Sequence, residues 1–122
     1  MHSDQIEING QFYNKGIVAH ANSEIIFTFS KEFDYFYSCI GISKYSKDPT
    51  CGATRGEASF QVIGDGNTLR DWQQKNSPED ATCFRVSILG VSQLKLKAKY
   101  ATWNCNFATW ADAKVHNKGI FP

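Results

Sequence analysis

Aromatic side chains stand beside hydrogen-bonding side chains at several points where turn-forming residues predict loops. The C–H faces of a sugar ring stack on Trp or Tyr, and sugar hydroxyl groups bond Asn, Asp, His, Arg or Lys. The candidate ligand-binding residues on this ground are His20, Arg55, Trp72, Trp103, Asn104 and Asn106. The pattern indicates recognition of a neutral sugar. For each residue alone, the alternative is a surface side chain, a core aromatic or, for His20, a buried imidazole that joins two strands.

The patterns that catalysis needs are weak in this sequence. It contains no G-x-S-x-G nucleophile elbow. Glycoside hydrolysis needs two facing carboxylates. The acids available are those that any β-rich domain carries: Glu57, Asp65, Asp71 and Asp112. The sequence therefore predicts a protein that is not an enzyme.

The four cysteines predict disulfide bonds. None has the C-x-x-C spacing of a zinc site, and the histidines are not placed to complete one. An even number in a small β-rich chain favours two disulfides and a secreted or extracellular protein, whereas four reduced, buried thiols are the alternative. Nearness in sequence favours Cys39–Cys51 with Cys83–Cys105. A Cys51–Cys105 bridge between two predicted loops is another pairing.

The charge balance narrows the choice of partners. Thirteen Lys and Arg against 12 Asp and Glu give a formal net charge of +1. Nucleic acid and anionic membranes require a concentrated basic surface, so neither is expected as a partner. Lys95, Lys97 and Lys99 alternate with apolar residues, which predicts a solvated strand face. No apolar run is long enough to insert in a membrane, and no signal peptide is present.

The elements that must position these residues are short strands separated by turns. The length of 122 residues suits one domain, residues 1–122, which we expect to be a piece of a larger secreted protein. About eight strands at regular spacing predict an antiparallel β-sandwich. The predicted loops are Ser43–Gly56, Gln73–Ala81 and Thr102–Ala108. In the last strand, Trp110, Asp112 and Lys114 are expected to share one face.

Motifs along the chain resemble one known family. The opening motif L-N-G-x-x-Y-x-K-G-I-x-x-H-A-x-S-x-I is matched at Asn9-Gly10, Tyr13, Lys15-Gly16-Ile17, His20-Ala21, Ser23 and Ile25. The closing W-A-D-A is Trp110-Ala111-Asp112-Ala113. Internal segments 36–42, 59–66 and 86–96 are similar to further family elements. The sequence thus resembles the NPCBM family ("novel putative carbohydrate-binding module"; carbohydrate-binding module family 51).

The resemblance implies a galactose-binding-domain-like jelly-roll and a lectin-like function. Such modules are attached to secreted glycoside hydrolases and tether them to glycans with terminal galactose or related sugars. The alternative is an extracellular or adhesive protein-interaction module that has lost sugar binding.

Two departures from the family bear on metal binding. Some relatives hold a structural calcium ion, but Ser43 stands where the family has Asp. The family's D-H-A-D-W is replaced here by Asn106-Phe107-Ala108-Thr109-Trp110. These changes remove oxygen ligands and argue against a calcium site. No cofactor is expected, and the sugar specificity stays open.

Overall fold

Ten β-strands make up the part of the chain that the structure, a computed structural model, describes: residues 6–8, 11–20, 22–42, 57–76, 79–99 and 107–116. The strands are β1 Ile6–Ile8, β2 Gln11–Tyr13, β3 Gly16–His20, β4 Ser23–Thr28, β5 Tyr35–Ile42, β6 Glu57–Gly64, β7 Asn67–Asn76, β8 Thr82–Ser87, β9 Gln93–Lys99 and β10 Phe107–His116. Across these ranges no helix is long and apolar enough to span a bilayer.

The strands form two four-stranded sheets and a hairpin. One sheet has the order β3-β10-β5-β8, the other β4-β9-β6-β7, and β1 pairs with β2. Every pairing is antiparallel. The predicted all-β antiparallel sandwich is confirmed, and the described residues form ten strands where about eight are expected.

The core lies between the two sheets. Leu94 and Leu96 of β9, at 1% and 0% exposure, face Phe36 and Ile40 of β5 in one buried cluster. Among the described residues, Trp110 of β10 is the largest fully buried side chain. Its ring meets Phe60 of the opposite sheet edge-on at 5.2 Å, an arrangement that stabilises aromatic pairs beyond the area they bury.

The β1-β2 hairpin covers the outer face of the β3-β10-β5-β8 sheet. Ile6 and Ile8 form a second buried cluster with Cys39 and Ala111, and Tyr13 packs beside it. Burial raises the pKa of Tyr13, and Tyr37, Asp80 and Asp112 add to the rise electrostatically. Gly16 permits this close packing: with φ at +154°, a Cβ there would lie 2.8 Å from the Trp110 carbonyl oxygen.

Two connections between the sheets depart from one end of the sandwich, here called the loop end. Phe107 pairs with His20, and Ala108 pairs with Ile42, which places the ends of β3 and β5 beside the start of β10. In the other sheet, Ser59 near the start of β6 pairs with Lys99 at the end of β9. Residues 43–56 therefore lead from β5 to β6, and residues 100–106 lead from β9 to β10. Each segment connects one sheet to the other, and the strands that they join are neighbours in both sheets.

The cysteine pairing expected from nearness in sequence is wrong. Cys39 on β5 stands directly opposite Cys83 on β8, and the two form a disulfide. The reason is that antiparallel pairing brings together residues 44 positions apart, whereas it excludes Cys39–Cys51 and therefore also Cys83–Cys105. Cys51 and Cys105 lie outside the described residues.

Two local expectations are also corrected. Strand β7 extends to Asn76 and so takes in the first four residues of the predicted Gln73–Ala81 loop, because Lys75 pairs with Ala58 of β6. The Lys75 ammonium also donates a hydrogen bond to the Thr82 hydroxyl at 2.9 Å. In β10 a bulge between Ala111 and Lys114 adds one residue, and Asp112 has φ at 52°. The bulge inverts the expected alternation, so Trp110 packs in the core with Ala113 and Val115 instead of sharing a face with Asp112 and Lys114.

Asp65 joins two turns at the end opposite the loop end. Its carboxylate accepts hydrogen bonds from the Gln93 amide at 2.9 Å and from the Ser92 amide and hydroxyl. The bonds from Gln93 and Ser92 hold the pKa of Asp65 below its ordinary value of 3.8. The ionised carboxylate thus stabilises the meeting of the β6-β7 and β8-β9 turns.

The Cys39–Cys83 bond makes a testable contribution to stability. Cys39→Ala/Cys83→Ala should lower the free energy of unfolding by about 2–4 kcal/mol, because the bond closes a loop of 44 residues in the unfolded chain. Urea unfolding measures the change. Each single variant should lose about as much as the double variant, since either one removes the bond; an unchanged midpoint in the double variant contradicts the assignment.

Asp65 predicts a specific dependence of stability on pH. Its folded pKa is lowered, so its contribution is present above about pH 4 and is lost as the pH falls through the folded pKa. Asp65→Asn should be less stable than the wild type at pH 6, and the difference in melting temperature should shrink toward pH 2. Thermal unfolding across this range checks it; a difference that stays constant with pH would show that the charge plays no part.

Candidate functional site

The six candidate ligand-binding residues are only partly within the described structure. Arg55, Trp103, Asn104 and Asn106 lie outside the described residues. His20 ends β3 and its backbone pairs with Phe107, while its side chain lies outside what the structure describes. Trp72 is described in full.

The segments that carry the undescribed candidates are anchored together. Residues 43–56, with Arg55, join β5 to β6, and residues 100–106, with Trp103, Asn104 and Asn106, join β9 to β10. Strands β5 and β10 are neighbours in one sheet, as β6 and β9 are in the other. His20 ends its strand at the same place. The topology thus gathers the chain positions from which five of the six candidates depart.

Trp72 lies inside strand β7, whereas the sequence predicts it at the end of an extended segment, where the Gln73–Ala81 loop opens. It is half-buried on β7, an edge strand of its sheet. The register of β6 and β7 shifts between the pairs made by Phe60 and Val62, so β7 carries an extra residue beside Trp72. Bulges of this kind re-aim a side chain. The indole lies on the outer face of the sheet, where it neither fills the core nor projects from a turn.

The lysines of β9 surround this indole. Leu94, Leu96 and Ala98 are buried, which confirms the expected alternation and leaves the lysines on the outer face. The Lys99 ammonium is 4.1 Å from the centroid of the Trp72 ring, and that of Lys97 is 6.0 Å away. Both are within the range of cation–π attraction. The sequence predicts only that Lys97 and Lys99 lie on a solvated strand face. Their contact with Trp72 depends on how strands distant in sequence pair.

The acids considered for catalysis are dispersed over the described structure. Asp65 is held by Ser92 and Gln93 at the end opposite the loop end. Asp112 pairs with Lys114 at 3.5 Å on the β10 bulge. Asp71 accepts a hydrogen bond from the amide of Trp72 at 2.8 Å. Each of these three carboxylates thus has a partner that accounts for its place in the fold.

The described residues do not supply a metal site. Among them, no three His, Cys, Asp or Glu side chains cluster closely enough to hold an ion. Ser43 and Asn106, two positions that bear on the calcium ion raised by the family resemblance, lie outside the described residues.

Two cavities lie away from the loop end. A cleft of about 330 Å³ opens between the sheets and is lined mainly by apolar side chains, among them Ile17, Phe27 and Val115. A second, of about 310 Å³, is lined by Asp34, Tyr35, Arg85, Ser87 and Leu89. The first offers few hydrogen-bonding groups for a sugar. In the second, Arg85 already lies 4.7 Å from the Tyr35 ring centroid, where it competes with any stacked ligand.

The fold and site together define an all-β sandwich module with its candidate ligand-binding segments at one end. The chain belongs to the NPCBM/NEW2 domain family, whose model matches residues 1–116. It is 30% identical over 111 residues to a protein of Renibacterium salmoninarum named "Putative endo-alpha-N-acetylgalactosaminidase". The match takes in 89% of this chain but only 7% of that protein's length.

Solved structures agree with this membership. One is the CBM51 module of Clostridium perfringens GH95 in complex with methyl-galactose, with a TM-score of 0.74 and 26% identity, covering 91% of this chain and 78% of that chain. Another is CBM51-2 of Clostridium perfringens ZmpB in complex with GlcNAc, with a TM-score of 0.78 and 24% identity, covering 93% of this chain and 25% of that one. At that identity the second likeness concerns the fold alone.

Proposed function

We propose that this chain is a non-catalytic, lectin-like module that tethers a larger secreted protein to glycans with terminal galactose or related sugars. The observation that carries the proposal is the gathering at the loop end of segments bearing Trp103, Asn104, Asn106, Arg55 and His20. The similar CBM51 module crystallised with methyl-galactose supports the choice of sugar. The named activity of the similar Renibacterium protein supports a parent enzyme that acts on glycans.

The division of labour follows from sugar chemistry. Trp103 supplies the flat apolar surface for one face of the sugar ring, and Asn104, Asn106 and Arg55 bond its hydroxyl groups. Each hydrogen bond between the protein and a neutral hydroxyl group replaces hydrogen bonds that both groups made to water. The net gain is therefore small, and a single site binds weakly. A module tethered to an enzyme raises the local concentration of substrate without doing chemistry, and several copies would add avidity.

A second function has its own support. Several large apolar side chains are exposed: Phe12, Ile26, Phe27 and Leu89. Phe27 also lines the apolar cleft between the sheets. An apolar cleft with few hydrogen-bonding groups suits an apolar side chain of a protein better than a sugar, so a protein-interaction module of an extracellular protein is the alternative.

Glycan binding is tested by comparing a variant of Trp103 with a control variant of Phe12. On a glycan array the wild type should bind structures with terminal galactose or related sugars, and titration of the best glycan should show at least about tenfold weaker binding by Trp103→Ala, the loss expected for one stacked ring. Phe12→Ala, which removes an exposed ring on the hairpin, is the control and should bind like the wild type. A folded wild-type protein that binds no glycan, while a pull-down yields one specific protein partner, would favour the alternative.

A second disulfide between Cys51 and Cys105 is part of the proposed site. With Cys39 and Cys83 joined to each other, these two are the remaining cysteines of the chain. Cys105 lies three residues before Ala108, which pairs with Ile42, the residue from which the 43–56 segment departs. The bond would cross-link the two segments that carry Arg55 and Trp103 and fix their side chains before a sugar arrives, which lowers the entropy cost of binding.

This second bond has a direct chemical test. Proteolytic digestion of the unreduced protein should release a pair of joined peptides containing Cys51 and Cys105, and reduction should separate them by mass. Cys51→Ala/Cys105→Ala should weaken glycan binding by about three- to tenfold while changing stability less than loss of the Cys39–Cys83 bond. Free thiols at positions 51 and 105 in protein folded under oxidising conditions would rule the bond out.

A further inference from the structure

The outer face of the β4-β9-β6-β7 sheet holds positive charge around one aromatic ring. Lys95, Lys97 and Lys99 point outward from β9, since the residues between them are buried. Lys95 is neutralised by Glu24, whose carboxylate is 3.4 Å from its ammonium. Among the described residues, no carboxylate lies within ion-pair distance of Lys97 or Lys99, and the contact that both make is with the Trp72 ring.

The three lysines of β9 differ in whether a described acid pairs with them. Glu24 stands opposite Lys97 in the register, yet its carboxylate reaches Lys95. The two ammonium groups beside the indole are therefore the ones without a described acid partner, whereas the lysine farther from it has one. Two ammonium groups held at 4.1 and 6.0 Å from the centroid of one indole ring are suited to a ligand group that carries a negative charge.

The position of this face relates it to the loop end. Lys99 is the last residue of β9, and the next residues, 100–106, carry Trp103, Asn104 and Asn106. Trp72 lies beside Lys99, so the charged face begins where the candidate sugar-binding segment departs. A glycan that binds at the loop end and extends along this sheet would bring its next ring or substituent toward Lys99.

We infer that Trp72, Lys97 and Lys99 form a subsite for an anionic substituent, a sulfate or a carboxylate, of the glycan held at the loop end. The inference rests on the proposed function and makes the ligand class more specific. The anion accepts charge-assisted hydrogen bonds from the two ammonium groups, which the Trp72 ring holds beside each other by cation–π attraction. The module would then select charged glycans over neutral ones with the same terminal sugar.

The test compares three soluble probes: lactose, lactose with a 3′-sulfate, and 3′-sialyllactose, which carries a carboxylate. At low salt the anionic probes should bind at least about tenfold more tightly than lactose, and the advantage should shrink to about threefold or less at 0.5 M salt, because salt screens exposed charges. Tightening by the sulfate alone assigns the subsite to sulfated sugars, and tightening by both assigns it to either anion.

Lysine variants separate the subsite from general surface charge. Lys97→Gln/Lys99→Gln keeps most of each stem and should reduce the anionic advantage to less than about twofold, while Lys97→Arg/Lys99→Arg should keep it. Glu24→Gln/Lys95→Gln is the matched control from the same sheet face: it removes the neighbouring ion pair without changing the net charge and should leave the advantage unchanged. An equal loss in this control would overturn the inference, since it would mean that the advantage does not depend on the two ammonium groups beside the indole.

Failure of this inference differs from failure of the proposed function. Binding of lactose with no gain from sulfate or carboxylate overturns the anionic subsite and leaves the module a binder of neutral sugars. Absence of binding to every probe and to the glycan array overturns the proposed function and the subsite with it. Unchanged circular dichroism and melting temperature of the glutamine variants keep the comparison free of folding effects.

Discussion

The pairing of β5 with β10 is the interaction on which the rest of the molecule depends. These are the two central strands of their sheet, and Trp110 projects from one of them into the core against Phe60 of the opposite sheet. The same pairing sets Ala108 against Ile42 and so brings together the starting points of the segments that carry candidate sugar-binding residues. On the other side of β5, Cys39 ties the edge strand β8 to this centre. The register of β5 with β10 therefore determines both the packing of the core and the positions from which the candidate binding segments depart.

The bulge in β10 shows how one extra residue is used. Up to Ala111 the strand follows the regular pairing with Cys39 and its neighbours, and after the bulge Lys114 pairs with Tyr37. The change of face directs Ala113 and Val115 into the core. Without it, Asp112 and Lys114 would point between the sheets, where two charges would lose their hydration. Before the bulge, the ordinary alternation of the strand serves two buried surfaces, since Trp110 faces the sandwich core and Ala111 faces the hairpin.

Much of the fold was predictable because its signals are local. The alternation of Leu94, Leu96 and Ala98 with lysines, and the Asp65-Gly66 turn between two strands, identify strands and hairpins from adjacent residues. The cysteine partner, the bulges and the place of Trp72 were not predictable, because each depends on which distant strands pair. A one-residue change of register moves a side chain to the other face. For the site, residue types indicated a sugar ligand, but the grouping of Trp72 with Lys97 and Lys99 required the register of β6, β7 and β9.

The Cys39–Cys83 bond limits how far the chain can be stretched when its ends are pulled apart. The bond keeps closed the 44-residue stretch between its two cysteines, even when every hydrogen bond of β8 has broken. At roughly 3.5 Å per extended residue, about 150 Å of chain is thereby withheld from extension. If the module tethers a larger protein to a glycan surface, as proposed, the bond shortens the longest reach of that tether by this length.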